Sequence, residues 1–149
     1  TFNQEHQENV MPYFGQELFE AAQAKGELSD EAYRTALSSN HRLARDEGID
    51  ATLQADQLDA IVAPTGGPAW LTDWVNGDHY GGASSSPAAV AGYPNITVPS
   101  GYVFGLPIGL SFIGGAWQEP TLLRLAYAFE QAWPVRQPPT FQQTLRLAW

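Results

Sequence analysis

The sequence predicts an α/β fold in which about three strands pack with helices, and three observations carry that reading. Apolar residues recur at helical spacing over much of residues 1–57. Short β-prone runs follow at 59–64, 95–98 and 108–113, and helical spacing returns from residue 120. The organisation expected along the 149 residues is a mainly helical part at 1–57, strands and helices at 58–133, and a tail at 134–149.

Phe14, Leu18, Phe19 and Ala22 give residues 14–24 a helical stripe, and Gly26 ends it. Ser29, followed by Asp30 and Glu31, reads as an N-cap with acids in the first turn, where the helix dipole favours negative charge. Tyr33, Ala36, Leu37, Leu43 and Ala44 continue a long second helix, which Gly48 is expected to break, with Asp50 capping a short continuation to Asp56. Asp59 to Pro64 reads as a buried strand closed by proline. The glycine-rich loop from Thr65 to Gly82 is long enough to suggest a function or a covering partner. Ser84 to Ala91 reads as a small-residue helix capped by a serine, with Pro87 in its first turn. Asn95 to Val98 and Ile108 to Ile113 read as a hairpin joined by a seven-residue link from Gly101 to Pro107, too long to be tight. Pro120 and Thr121 open a last helix with Leu122, Leu125, Ala126, Phe129 and Trp133 on one face, stopped by Pro134.

Charge is distributed unevenly. Residues 1–59 hold twelve acids and four bases, against four acids and three bases in 60–149, so the formal charge of -9 splits -8 to -1. An acidic chain gives no electrostatic grip on nucleic acid or on an anionic membrane. Between Ala60 and Gln118 the only charged side chains besides His79 are Asp73 and Asp78, and so sparse a segment is expected to be buried. The expectation is a piece of a larger protein whose remainder covers residues 60–118.

Several kinds of catalytic apparatus are missing from the sequence. Without cysteine there is no thiol nucleophile, disulfide framework or zinc finger. No G-x-S-x-G elbow and no phosphate-cradling P-loop occur, and Lys25, the sole lysine, has no serine three positions before it. His6, His41 and His79 share no local frame for a metal. One segment remains suited to a ligand: Gly81 to Pro87 sets flexible backbone and the hydroxyls of Ser84, Ser85 and Ser86 before a helix, although capping and packing explain the same serines. Asp78 with His79 reads as a surface pair, and Trp70, Trp74 and Trp117 as core or interface residues.

Four stretches occur in an order that resembles one family. They are Asn3–His6 with Pro12–Glu17, Leu58–Thr65 (LDAIVAPT), Ala88–Gly101 (AAVAGYPNITVPSG) and Gly105–Gly114 (GLPIGLSFIG), followed by LLRLAYAFEQA. Together they resemble the C-terminal portion of the amidase signature hydrolases. The resemblance implies one α/β body around a large mixed sheet, of which this chain would supply about three strands. It implies hydrolysis of amides by a serine activated through a second serine, in a cis peptide, and a lysine, with no cofactor and no metal. Those three residues belong to the part of the family sequence preceding this chain, so no catalytic residue is assigned here. The carried-over expectation is a substrate pocket touching Thr65, Gly82, Ser84, Ser85 and Ser86. The implied partners are a small amide or peptide-amide substrate and the N-terminal catalytic portion of the parent, with no nucleic acid and no membrane, and with self-association of the isolated chain. Two other readings stand beside this one: a non-catalytic module that docks a partner through residues 60–118, and a fragment of the amidotransferase component of a transamidosome.

Overall fold

Alternation of apolar and polar residues in two of the expected strands dictates which face each side chain takes, and a computed structural model, described over residues 1–141, shows where those faces go. Strands β1 (Ile61–Pro64), β2 (Asn95–Val103) and β3 (Leu106–Ile113) form one antiparallel sheet in the order β1-β3-β2. In the register, Val62 and Ile96 both lie opposite Phe112, and Ala63 and Thr97 both lie opposite Ser111.

The two faces of the sheet carry separate apolar clusters. On one, Val98 and Phe112 pack with Leu122 and Ala126 of the helix Glu119–Ala132, flanked by Ile96, Leu110, Leu125 and Phe129. Phe112 and Phe129 meet edge to face with centroids 6.0 Å apart, a favoured aromatic geometry. The i, i+3, i+4, i+7 stripe is therefore the face that the last helix buries, and Trp133, just past its end, donates its indole N–H to Ser100 O at 3.1 Å. On the other, Ile113 packs with Ile49, Ala88 and Ala91.

The chain divides into two units, Thr1–Leu37 and Ser38–Trp149. The first holds two short helices at Phe2–Glu5 and Gln7–Val10, which the sequence pattern does not indicate, and a third at Glu17–Gln23 inside the expected 14–24 run. No residue of this unit is buried. The next helix, Glu31–His41, starts with Asp30 rather than Ser29 immediately before it; Arg34 N donates to Asp30 O, and the Ser29 hydroxyl donates to Glu27 at 3.4 Å.

Gly48 does not break the second helix, and this corrects the sequence expectation. Helical backbone continues through a π-helical segment, Arg42–Ile49, into a helix at Asp50–Ala55, and Asp50 has helical angles (φ -64, ψ -44) rather than those of a cap. A Cβ on Gly48 would lie 2.6 Å from the Leu43 carbonyl oxygen, so the wider turn brings backbone to where only glycine fits. Arg45, in the π segment, donates to Ala91 O at 2.6 Å and lies over the Tyr93 ring, while Tyr93 donates its hydroxyl to Asp50 at 2.7 Å. Burial, and then the bond and charge of Asp50, raise the Tyr93 phenol above its usual range.

The hairpin is also tighter than expected. Pairing runs to Val103↔Leu106, leaving Phe104 (φ 52) and Gly105 (φ 77) as a two-residue turn with both centres left-handed. The expected tail at 134–149 is described only to residue 141, and its remainder lies outside the described residues. No helix among the described residues is long and apolar enough to cross a membrane.

Candidate functional site

Two of the predicted site residues are brought together by backbone pairing at the end of β1. Thr65 N donates to Gly109 O at 2.8 Å, continuing the ladder, and Ser84 N donates to Thr65 O at 3.1 Å. Gly66 and Ala83 form an isolated antiparallel bridge, which closes the neck of the loop between them. Gly82, at φ 90, lies beside the neck, and its carbonyl oxygen would be 3.2 Å from a Cβ built on Gly66.

Thr65 is part of a cluster that sequence spacing does not reveal. Its Oγ1 is 2.8 Å from Ser111 Oγ and 3.3 Å from Thr97 Oγ1, and Thr97 Oγ1 is 3.0 Å from Ser111 Oγ. Register explains the trio: Thr97 and Ser111 are cross-strand partners, and Thr65 is one step past β1. Ser111 is buried, while Thr97 reaches solvent. Gly109 makes the space, since a Cβ there would meet Thr97 Cγ2 at 2.6 Å and Thr65 Oγ1 at 2.8 Å. Strand alternation with the correct register is the signal that would have found Thr97 and Ser111.

The serines before the helix Ser86–Ala91 divide. Ser85, the residue before the helix, makes no side-chain capping bond, so the expected serine cap is absent. Ser85 and Ser86 are exposed. The Ser84 hydroxyl is the only buried side-chain polar atom without a hydrogen-bond partner among the described residues, and such a group costs about 1–3 kcal/mol. Among Thr65, Gly82, Ser84, Ser85, Ser86, Thr97 and Ser111 there is no ionisable side chain.

The intervening loop is braced by Asp73. Its carboxylate accepts the backbone N–H groups of Val75 and Asn76 and the Asn76 amide, all at 2.9 Å, with His79 Nε2 at 3.7 Å. The Asn76 backbone bond, followed by the other donors, holds the Asp73 carboxyl at about 2, below its ordinary 3.8. His79 thus faces Asp73, whereas Asp78, its expected partner, accepts the Trp70 indole N–H at 3.4 Å; Trp70 also meets Tyr80 edge to face. Among the described residues no three His, Cys, Asp or Glu side chains group to hold a metal ion. A separate groove of about 210 Å³, lined by Pro99, Glu130, Trp133, Val135 and Arg136 among others, contains none of the predicted site residues.

Comparison with known proteins gives three likenesses besides a family match. The amidase family profile matches residues 3–123. The chain is 38% identical over 144 residues to a protein named as a probable amidase of Arabidopsis thaliana, covering 95% of this chain and 24% of that protein. It is 45% identical over 62 residues to a glutamyl-tRNA(Gln) amidotransferase component of a Synechococcus strain, covering 40% of this chain and 12% of that one. The crystal structure of a peptide amidase in complex with the competitive inhibitor chymostatin matches it with a TM-score of 0.88 and 54% identity, over 94% of this chain and 28% of that chain. The chain therefore spans about a quarter of the length of these amidases.

Proposed function

The chain belongs to the amidase family, and from that premise we propose that it supplies scaffold and part of the substrate pocket to an enzyme that hydrolyses carboxylic amides, with peptide amides as the substrate class. The observation that supports this most is the likeness to peptide amidase at a TM-score of 0.88 and 54% identity across 94% of this chain. The residues proposed to line the pocket are Thr65, Gly82, Ser84, Ser85 and Ser86. Hydroxyls and small side chains without an ionisable group suit a neutral amide better than a charged one, because an unpaired charge placed among them would be desolvated without compensation. The unpartnered Ser84 hydroxyl gains a bond if a substrate carbonyl oxygen reaches it. Attack on the amide carbonyl is assigned to the serine, serine and lysine of the family signature, which lie outside these residues, so the chain by itself is inactive in this reading.

The test uses a fluorophosphonate probe for activated serines together with ammonia release from a peptide amide. The chain alone is expected to stay unlabelled and to release none, and joined to the catalytic portion of a peptide amidase it is expected to restore release. Labelling of the chain alone would overturn the assignment. The 45% identity to the amidotransferase component over 62 residues supports a second reading, a part of an enzyme that frees ammonia from glutamine. Release from glutamine, with none from peptide amides, in the same reconstituted assay selects it.

A further inference from the structure

The loop between β1 and the helix Ser86–Ala91 holds a chemically labile dipeptide. Asn76 precedes Gly77, and of Asn3, Asn9, Asn40, Asn76 and Asn95 it is the one followed by glycine. With no Cβ on the following residue, that residue's backbone nitrogen meets least hindrance in reaching the asparagine side chain. We propose that Asn76 is a modification site, at which the carboxamide is lost as ammonia through a cyclic imide, and that Asp73 holds this reaction in check in the folded loop.

The reaction balances with water as its co-reactant. The Gly77 nitrogen attacks Asn76 Cγ and gives its proton to solvent, forming the N–Cγ bond. The Cγ–Nδ2 bond breaks, and Nδ2 takes up a proton and leaves as ammonia. Water then adds to one of the two imide carbonyls, opening the ring to aspartate or isoaspartate. No electrons are transferred to or from any other group. Asn76 and Gly77 are exposed, so water has access.

Attack needs a free Gly77 N–H and an Asn76 side chain turned onto it, and Asp73 engages both. Gly77 N donates to Asp73 O at 3.1 Å. Asn76 Nδ2 donates to Asp73 Oδ2, and the backbone N–H groups of Val75 and Asn76 donate to Asp73 Oδ1, each at 2.9 Å. One residue thus occupies the attacking nitrogen with its carbonyl and the departing amide with its carboxylate. Gly77 sits at φ 82, which glycine adopts without penalty, so the restraining turn carries no strain of its own there.

The experiment incubates the whole chain at mildly alkaline pH and follows each asparagine by peptide mapping and mass spectrometry, beside a synthetic peptide spanning residues 70–80. Asp73→Ala and Asp78→Asn are run in parallel, since each removes one negative charge from the loop. Expected is modification at Asn76 before any other asparagine, about tenfold slower in the chain than in the peptide. Asp73→Ala, which frees the Asn76 amide but leaves the residue-73 carbonyl on the Gly77 N–H, should react faster than the parent without reaching the peptide rate, while Asp78→Asn stays with the parent. If Asp73→Ala loses the parent's circular dichroism, Asp73→Ser, whose hydroxyl can still accept a backbone N–H of the turn but which has no second oxygen for the Asn76 amide, takes its place under the same criterion. Peptide-like loss in the parent chain, no acceleration in the Asp73 variant, or earlier modification at another asparagine overturns the proposal.

Discussion

At Gly109 the absence of a side chain is what lets three hydroxyls meet, because a Cβ there would intrude on both Thr97 and Thr65. Gly109→Ala is expected to cost about 1–3 kcal/mol, read as a lower urea midpoint with an unchanged slope. Ser111→Ala removes a buried hydroxyl bonded to both threonines and should cost about 1–3 kcal/mol in the same measurement. Asp73 gives a pH prediction whose sign follows from its depressed carboxyl, at about 2 against 3.8. Its contribution to loop order is complete above the ordinary value and is lost as pH falls from 3.8 towards 2. Amide exchange at Val75 and Asn76 should accelerate across that window; constant protection through it would refute the bracing role. Of the residues proposed to line the pocket, Thr65 and Ser84 each flank an element boundary visible in the pattern. The hydroxyl cluster that Thr65 forms with Thr97 and Ser111 is not legible there, since their meeting depends on strand register between positions far apart in the chain.

Gly48 sets intrinsic propensity against packing within one element. In an ordinary helix, replacing glycine with alanine stabilises by about 0.5–1 kcal/mol. Here the added methyl would lie 2.6 Å from the Leu43 carbonyl oxygen, so Gly48→Ala is predicted to lower the thermal midpoint instead. A raised midpoint would mean that the π-helical turn relaxes to a plain helix at no cost. The same residue shows why the sequence misleads at this element: glycine normally marks a stop, and nothing local announces a wider turn that needs one. The tightness of the hairpin is hidden for a related reason, because phenylalanine is an unusual occupant of a left-handed turn centre. β2, β3 and the last helix are legible because the side-chain periods that mark them are the ones their clusters use, and β1 because it is a short β-prone run closed by Pro64.

At the scale of the molecule, much apolar surface is left in solvent. Phe14 and Leu18 in the first unit, and Leu71, Val75 and Phe104 in the second, are well exposed, Val75 at 90%. Among the described residues the exposed large apolar side chains outnumber the buried ones, more than a small core leaves in solvent by itself. The isolated chain is therefore expected to self-associate and to bind a hydrophobic dye, measured by sedimentation and fluorescence; a monomer that ignores the dye would contradict this. The sheet's two rims differ as well. Beyond β2 the rim is interrupted by Pro99, which has no N–H to offer, and by the register shift between Pro99 and Gly101, whereas β1 presents a short rim closed by Pro64.

The bridge between Gly66 and Ala83 has one more consequence, for the way this chain tolerates change. A detour whose two ends are already stitched together adds little entropy cost when its length varies, about 0.6 kcal/mol for each doubling. The stretch it encloses is in effect an interchangeable cartridge: exchanging residues 67–82 for a brief glycine-containing turn should leave the melting behaviour of the strands nearly untouched while removing whatever selectivity that stretch confers.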